Sequence, residues 1–147
     1  MSDAPLHIER TGTFHLPYPP EESLALLSPE GERSWVPGWA PVYLHPAEPS
    51  AAPGTVFRTN HNAQDTLWLV LEFDPVAGRA RYGRFTEGSH IGTVAVECRP
   101  HESGTMVRVT YALTSTTAAG TRLLQAMHEQ AYAAMLDEWK RLILGRG

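Results

Sequence analysis

The chain has little of several features that would narrow its function. It contains one cysteine, Cys98, in 147 residues, which excludes an intramolecular disulfide and a metal site built from several thiolates. It also lacks an excess of basic residues, because 12 Lys and Arg stand against 16 Asp and Glu and give a formal charge of −4. Such a chain offers no positive field to a phosphate backbone, so we expect no nucleic-acid partner.

Long apolar runs and targeting signals are missing as well. Nowhere do 18 consecutive apolar residues occur, and residues 1–5 carry no basic segment with an apolar core behind it. We therefore expect a cytoplasmic protein without stable membrane insertion. The length and a hydrophobic content of 42% predict a single domain over residues 1–147.

Short motifs of metal, nucleotide and serine-nucleophile chemistry are also absent. The seven histidines form no HExxH, HxH or His/Cys cluster, so we expect no metal site. The sequence contains no G-x-G-x-x-G, no G-x-x-x-x-G-K-[ST] and no G-x-S-x-G. No cofactor is expected, and no residue is marked as catalytic.

What is present begins with a strand and two short helices. Residues 6–16 place apolar side chains at alternate positions and predict strand one, with Gly12 where a bulge is tolerated. After a Pro-Pro pair, acidic residues and leucines predict a short helix. Ser28 then caps a second helical turn that ends near Trp35, and a rigid aromatic loop of residues 35–41 follows.

The middle of the chain has the pattern of a β-meander. Turn signals recur at short intervals between residues 55 and 115, and no helical period intervenes. We expect five or six antiparallel strands in this region. Residues 67–73 are apolar at both odd and even positions, which predicts a strand covered on more than one side.

The C-terminal segment changes to a helical period. Residues 118–144 predict one long helix with a narrow apolar stripe, which needs a sheet face to cover it. The stripe positions are Leu124, Met127, Ala131, Met135 and Leu142.

Four segments carry a resemblance that covers nearly the whole chain. They are "FHLPYPPEESLALLSPEGERSWVPGW" at residues 14–39, "PGTVFRT" at 53–59, "IGTVAVECRP" at 91–100 and "YAAMLDEWKRLI" at 132–143. Together with the order of elements, they resemble the SRPBCC (START/Bet v 1-like) superfamily, often labelled polyketide cyclase/dehydrase-like. The resemblance implies the α+β helix-grip fold, in which a curved antiparallel β-sheet wraps around a long C-terminal α-helix and two short helices follow strand one.

The resemblance also implies a cavity between the sheet and the C-terminal helix. One parity of the later strands, including Tyr82 and Leu113, would face the helix, and a one-residue slip would reverse this assignment. The alternative is a filled core made by the same side chains. The candidate ligand-binding residues are Trp35, Trp39, Trp68, Tyr82, Arg84, Val96, Tyr111, Met127, His128, Ala131 and Met135.

Three of these features have two interpretations each. An inward Arg84 needs an anion, which is either a ligand carboxylate or a glutamate in a structural ion pair. His128 either acts as an acid or base in the cavity or lies at the edge of the helix. The tryptophans of residues 35–39 either wall the cavity or anchor the short helices. The glutamates considered for Arg84 are Glu72, Glu97 and Glu138.

The expected function is the binding of a small, largely apolar ligand, lipid-like or aromatic, in this cavity. One alternative is a polyketide cyclase/aromatase-like enzyme that acts on a ligand in the same place. Another is a chaperone-activator-like interaction module, which would need an exposed apolar patch. Self-association into a homodimer is compatible with the sequence.

Overall fold

The computed structural model describes residues 4–146, which form a curved antiparallel sheet and three α-helices. The strands are β1 His7–Leu16, β2 Val42–His45, β3 Val56–His61, β4 Gln64–Asp74, β5 Arg79–Thr86, β6 His90–His101 and β7 Gly104–Ser115. The helices are α1 Pro20–Leu26, α2 Ala118–Ala126 and α3 Glu129–Gly145, with a 3₁₀ turn at Gly31–Ser34. The strand order β1-β7-β6-β5-β4-β3-β2 and the position of α3 confirm the expected helix-grip architecture. No helix in this part of the chain has the length and apolarity needed to cross a bilayer.

The two short helical segments form where the sequence predicts them. α1 has a proline at its start and Glu21 and Glu22 in its first turn, where acidic side chains complement the helix dipole. The Ser28 hydroxyl accepts a hydrogen bond from the Gly31 N–H at 3.0 Å and opens the 3₁₀ turn. That turn ends next to Trp35, as expected.

A tight hairpin joins β3 to β4. Its two turn residues, Asn62 and Ala63, both have left-handed backbones, with φ of 53° and 62°. A two-residue turn of this kind matches the twist of the flanking strands. The short strand β2, which the sequence did not reveal, pairs with β3 and extends the sheet beside this hairpin.

The inner face of the sheet carries the predicted parity. Tyr82, Val96 and Leu113 are at most 5% exposed, on three neighbouring strands. Cys98 is buried in the same face, and burial raises the pKa of its thiol to about 12. The cysteine is therefore a small core side chain.

Gly12 has a different role from the one predicted. The β1–β7 register runs without a shift through this residue, so there is no bulge. A Cβ atom at residue 12 would lie 2.5 Å from the Leu136 Cδ1 atom and 3.5 Å from Tyr132. Glycine therefore allows α3 to pack closely against β1.

The predicted single helix over residues 118–144 is wrong in one respect, because the chain breaks it at Met127 and His128. His128 is the N-cap of α3, and its Nδ1 atom accepts a hydrogen bond from the Ala131 N–H at 3.2 Å. The Met127 carbonyl ends α2 and accepts a hydrogen bond from the Arg10 Nε at 3.0 Å. The break shifts the helical phase, so the fully buried positions of α3 differ from the predicted stripe. They are Tyr132, Leu136 and Ile143.

The expectation that residues 67–73 are covered on both sides is also wrong. Leu67, Leu69 and Leu71 point to the outer face of the sheet and are 42%, 41% and 40% exposed. Val70 points inward and is 1% exposed. β4 is thus an ordinary half-buried strand with an apolar outer row.

Candidate functional site

A pocket of about 280 Å³ opens between the aromatic loop, the β3–β4 hairpin and α3. The exposed residues Pro37, Gly38, Asn60 and His61 mark its mouth. The volume lies near the lower end of the range for small-molecule sites. The other lining residues are Glu32, Val36, Trp39, Thr59, Thr66, Trp68, Arg84, Tyr111, Met135 and Trp139.

A much smaller chamber of about 30 Å³ adjoins the pocket on its inner side. The two share Glu32, Trp68, Tyr111 and Trp139 as lining residues. Space of this size holds about one water molecule. The remaining walls of the chamber are Leu27, Tyr82, Val94 and Val96.

Indole rings form the apolar wall of the pocket on the side of the sheet edge. The Trp39 ring meets the Trp68 ring nearly edge to face at 5.8 Å, and Phe57 stacks parallel to Trp68 at 5.8 Å. The Trp39 Nε1 donates to the Pro29 carbonyl at 2.7 Å, and the Trp68 Nε1 donates to the Thr59 hydroxyl at 2.9 Å. Since the protein satisfies both indole N–H groups, the rings present rigid apolar surface to the pocket.

The two tryptophans of the aromatic loop have different positions. Trp35 is buried, donates its Nε1 hydrogen to the Leu26 carbonyl at 2.7 Å and packs on Trp139 at 5.7 Å. It anchors the loop onto the short helices, and it does not line the pocket. Trp39 is also anchored, but its ring forms part of the pocket wall. Each of the two interpretations of the loop therefore describes one of its tryptophans.

Arg84 extends from β5 into the pocket. Its guanidinium carbon lies 4.7 Å from the centre of the Trp68 ring, a cation–π geometry. Its Nε atom is buried and has no hydrogen-bond partner, and no described carboxylate forms an ion pair with it. Burial lowers the pKa of Arg84, while Tyr111 and Glu32 act in the opposite direction. The side chain keeps its charge, because arginine titrates far above neutral pH.

Glu32 is the carboxyl group that lines the pocket together with Arg84 and interacts electrostatically with it. It lies in the 3₁₀ turn and lines both the pocket and the inner chamber. Burial raises the pKa of Glu32 well above its usual value, and the charge of Arg84 only partly offsets this. The carboxyl group therefore holds its proton to a higher pH than an exposed glutamate does.

The three glutamates considered as partners of Arg84 are elsewhere, so that expectation is wrong. Glu72 pairs with Arg79, Glu97 pairs with Arg99 and Arg108, and Glu138 pairs with Arg141. All four of these arginines are exposed. The acidic groups thus belong to solvated ion pairs, and none of them forms an ion pair with Arg84.

The tyrosine hydroxyls have different partners, which are backbone carbonyls for Tyr82 and Tyr132 and the Arg84 side chain for Tyr111. Tyr82 donates to the Leu27 carbonyl at 2.9 Å, and Tyr132 donates to the Val109 carbonyl at 2.7 Å. Tyr111 lines the pocket beside Arg84, and burial raises its pKa to about 12. Its phenol is therefore neutral at physiological pH and able to donate a hydrogen bond.

His90 is a further buried titratable group near Arg84. Its Nδ1 atom lies 2.7 Å from the Ser89 hydroxyl, and the side chain is 5% exposed. Burial, aided by the charge of Arg84, lowers the pKa of His90 to about 4. The imidazole is neutral near pH 7 and adds no charge to the site.

The structure brings together part of the predicted site. Trp39, Trp68, Arg84, Tyr111 and Met135 line the pocket, whereas Tyr82 and Val96 line the inner chamber. The remaining candidates line neither space. They are Trp35 behind the wall, Met127 at the end of α2, the exposed cap His128, and Ala131 in the first turn of α3.

Two important lining residues were not among the candidates. Trp139 lies one helical turn after Met135, so the spacing of i and i+4 could have found it. Glu32 gives no such signal, because it lies in an irregular segment whose direction depends on the packing of the 3₁₀ turn. Nothing in the sequence distinguishes Glu32 from its neighbour Glu30, which forms an ion pair with Arg33 at the surface.

Comparisons with known proteins identify the architecture. No protein-family model matches the chain, and a search of curated proteins found no match. Among solved structures, Ara h 8.0201 aligns with a TM-score of 0.66 at 12% sequence identity, covering 95% of this chain and 99% of that one. The chain has the Bet v 1-like helix-grip fold.

Two further Bet v 1-like structures support this assignment. Norcoclaurine synthase from Thalictrum flavum, solved in complex with dopamine and hydroxybenzaldehyde, has a TM-score of 0.65 at 9% identity, over 97% of this chain and 90% of its own. DynU16, a protein from the dynemicin biosynthetic locus, has a TM-score of 0.65 at 14% identity, over 93% of this chain and 47% of its own. The resemblance to the SRPBCC superfamily is thereby confirmed for the fold, and identities this low carry the fold alone.

Proposed function

We propose that this helix-grip protein binds a small, largely apolar ligand, lipid-like or aromatic, between its aromatic loop and α3. The observation that carries this proposal is an open pocket of about 280 Å³ with indole walls whose N–H groups are already hydrogen-bonded. Burial of apolar ligand surface would supply the affinity. Arg84 and Tyr111 would fix the orientation of a polar end.

The shape of the site favours a compact ring over a long chain. The inner chamber of about 30 Å³ is too small to continue the pocket toward β6 for a lipid tail. The Trp39 ring and the edge of the Trp68 ring offer apolar surface to a flat ligand, while the faces of Trp68 contact Phe57 and Arg84. Norcoclaurine synthase, which shares the fold, is a protein that holds aromatic molecules.

The expected affinity for a neutral aromatic probe is modest. A bicyclic probe that buries about 200 Å², as a tryptophan side chain does, gains roughly 5 kcal/mol at about 25 cal/mol per Å². This corresponds to a dissociation constant of about 0.2 mM. Titration calorimetry with naphthol measures a constant of this order.

A matched pair of variants locates the binding site. Met135→Trp adds volume on the pocket side of α3, and Ala134→Trp adds the same side chain at the neighbouring exposed position. We expect Met135→Trp to weaken naphthol binding at least about tenfold, since one factor of ten is only about 1.4 kcal/mol. Ala134→Trp should bind as the unchanged protein does. Equal binding by both variants, or no binding by the unchanged protein, would contradict the proposal.

A cyclase-like enzyme that works in the same pocket is the second candidate. The observation that favours it is the convergence of a carboxyl group, a guanidinium and a phenol, from Glu32, Arg84 and Tyr111, on one pocket. A protonated Glu32 would give a proton to a ligand carbonyl that Arg84 polarises, and each such group contributes about 10²- to 10⁴-fold in rate. The test is turnover of a poly-carbonyl compound. Glu32→Gln should abolish turnover while retaining binding, and a binding protein shows no turnover at all.

Other expectations from the sequence stay predictions. Location in the cytoplasm is tested by cell fractionation, and a homodimer is tested by sedimentation equilibrium of the purified protein. The interaction-module alternative also stays a prediction. It needs an exposed apolar patch, and charged substitutions in the exposed row of Leu67, Leu69 and Leu71 test whether this row binds a partner protein.

A further inference from the structure

The polar groups of the pocket divide into those that the protein satisfies and those that it does not. The Thr59 hydroxyl accepts the Trp68 indole hydrogen, and Thr66 shares a 2.6 Å hydrogen bond with Thr86. The Arg84 Nε, by contrast, is buried without a partner. A native protein leaves few buried donors unsatisfied, so an Nε without an acceptor, on a guanidinium that interacts with Tyr111 and Trp68 but with no carboxylate, indicates a missing acceptor in the pocket.

Arg84 supplies a positive charge to the interior of the pocket. Arg84 is charged, Glu32 is held toward its neutral form by burial, and the Tyr111 phenol is neutral. His90, packed behind Arg84, is neutral as well. A positive charge among apolar walls favours a ligand that carries one negative charge on an otherwise apolar body.

We infer that the ligand of this pocket is a planar aromatic carboxylate, an inference that rests on the proposed function and narrows its ligand class. The ring lies against Trp39 and Trp68, and the carboxylate oxygens accept hydrogen bonds from the Arg84 guanidinium and the Tyr111 hydroxyl. A guanidinium presents parallel N–H donors that match the two oxygens of a carboxylate, and charge strengthens both bonds. A neutral amide of the same shape lacks that charge and offers one acceptor in place of two.

Glu32 opposes the ligand when it is ionised. A carboxylate at residue 32 competes for Arg84 and repels the carboxylate of the ligand, whereas the protonated group does neither. Affinity for an aromatic carboxylate should therefore fall as the pH rises through the raised pKa of Glu32. Binding of the ligand and binding of a proton to Glu32 therefore favour each other.

Other titratable groups lie near the pocket, and their effects on ligand affinity have to be distinguished from that of Glu32. On its own segment, Glu30 and Arg33 pair with each other at the surface. α3 contributes the uncharged side chains Met135 and Trp139 to the lining. The groups on the sheet are Tyr82 and Arg84 of β5, Tyr111 of β7, His90 of β6 behind Arg84, and His61 of β3 at the mouth.

The experiment compares naphthoate with naphthamide by titration calorimetry. The two probes share one ring system and differ in charge. We expect the unchanged protein to bind naphthoate at least about tenfold more tightly at about pH 5.5, a difference of about 1.4 kcal/mol. Arg84→Gln should remove this preference, because it weakens the binding of naphthoate more than that of naphthamide. Glu32→Gln should retain the preference and remove the decline of naphthoate affinity with rising pH, because glutamine carries no titrating proton at this position.

The outcomes separate this inference from the proposed function. If neither probe binds, both are wrong. If naphthamide binds as tightly as naphthoate, or if folded Arg84→Gln keeps the preference, the inference is wrong and the proposed function stands. A pH dependence that persists in Glu32→Gln would overturn the role of Glu32. Should Arg84→Gln fail to fold, the probe preference of the unchanged protein and its pH profile decide.

Discussion

Replacing Arg84 by methionine should stabilise the protein while it removes the anchor for a charged ligand. The Nε of Arg84 is a buried donor with no partner, and such a group costs about 1–3 kcal/mol. Methionine has a similar length and no donor, so it removes that cost. It also removes the interaction with Tyr111 and the cation–π contact with Trp68, which contributes about 2 kcal/mol for a desolvated guanidinium, but it ends the costly burial of a charge that has no carboxylate partner. The balance is a gain of roughly 1 kcal/mol.

Urea unfolding of Arg84→Met, followed by circular dichroism, measures this gain. In thermal unfolding, a gain of 1 kcal/mol corresponds to a rise of roughly 3 °C in Tm for a chain of this size. Arg81→Met is the matched control, because Arg81 lies on the same strand with its side chain exposed. The control should change stability by less than about 0.5 kcal/mol.

The opposite result would refute the reasoning. If Arg84→Met lowered the free energy of unfolding by more than about 1 kcal/mol, the guanidinium would be part of the structural core. Its unpaired Nε would then have no connection with a ligand. A gain in stability together with loss of naphthoate preference would show that the chain retains a destabilising charge for binding.

Three further predictions concern single groups of the fold. Tyr132→Phe leaves the Val109 carbonyl without its buried 2.7 Å partner and should cost about 1–2 kcal/mol in urea unfolding, whereas Tyr43→Phe, which loses an exposed contact with Glu30, should cost less than about 0.5. His128→Ala removes the N-cap of α3 and should cost about 1 kcal/mol, yet leave naphthol affinity within about tenfold; a larger loss would place His128 in the site. The raised pKa of Glu32 means that the folded state binds more protons there than the unfolded state, so its contribution to stability is fully present below the unfolded pKa of about 4.3 and declines as pH rises through the folded value. A pH series of unfolding free energies should therefore fall less steeply with rising pH in Glu32→Gln, and an unchanged slope would contradict the assignment.

The sheet was predictable because its signals are local. Period-two alternation and turn residues set the boundaries of β3 to β7, and the inward parity of Tyr82 and Leu113 followed from the same alternation. The Ser28 cap and the Pro-Pro pair placed the short helices. β2 was missed because four residues are too few to establish a period.

The errors arise where tertiary packing overrides a local pattern. Apolar residues continue at helical spacing across Met127 and His128, so the sequence hides the break that the Arg10 contact and the histidine cap stabilise. Leu67, Leu69 and Leu71 have the composition of a covered strand, but the helices occupy only the inner face of the sheet.

The candidate site was only partly predictable. Family resemblance and strand parity pointed to Arg84 and Tyr111, because side chains on one parity of a regular strand share a face. Glu32 has no regular element to fix its direction, and only the folded 3₁₀ turn brings it to the pocket. Site residues on irregular segments are the hardest to predict from a single sequence, because no period fixes the direction of their side chains.

The most direct test of ligand binding in this pocket is nuclear magnetic resonance of the four tryptophan indole N–H groups during a titration with naphthoate. Trp39 and Trp68 line the pocket, and Trp139 closes it from α3. Trp35 lies behind the wall with its indole hydrogen held by the Leu26 carbonyl, so it serves as an internal control. The signals of Trp39 and Trp68, assigned with Trp→Phe variants, should shift most and saturate together, while that of Trp35 shifts least. Saturating naphthoate that leaves the Trp39 and Trp68 signals in place would contradict binding in this pocket.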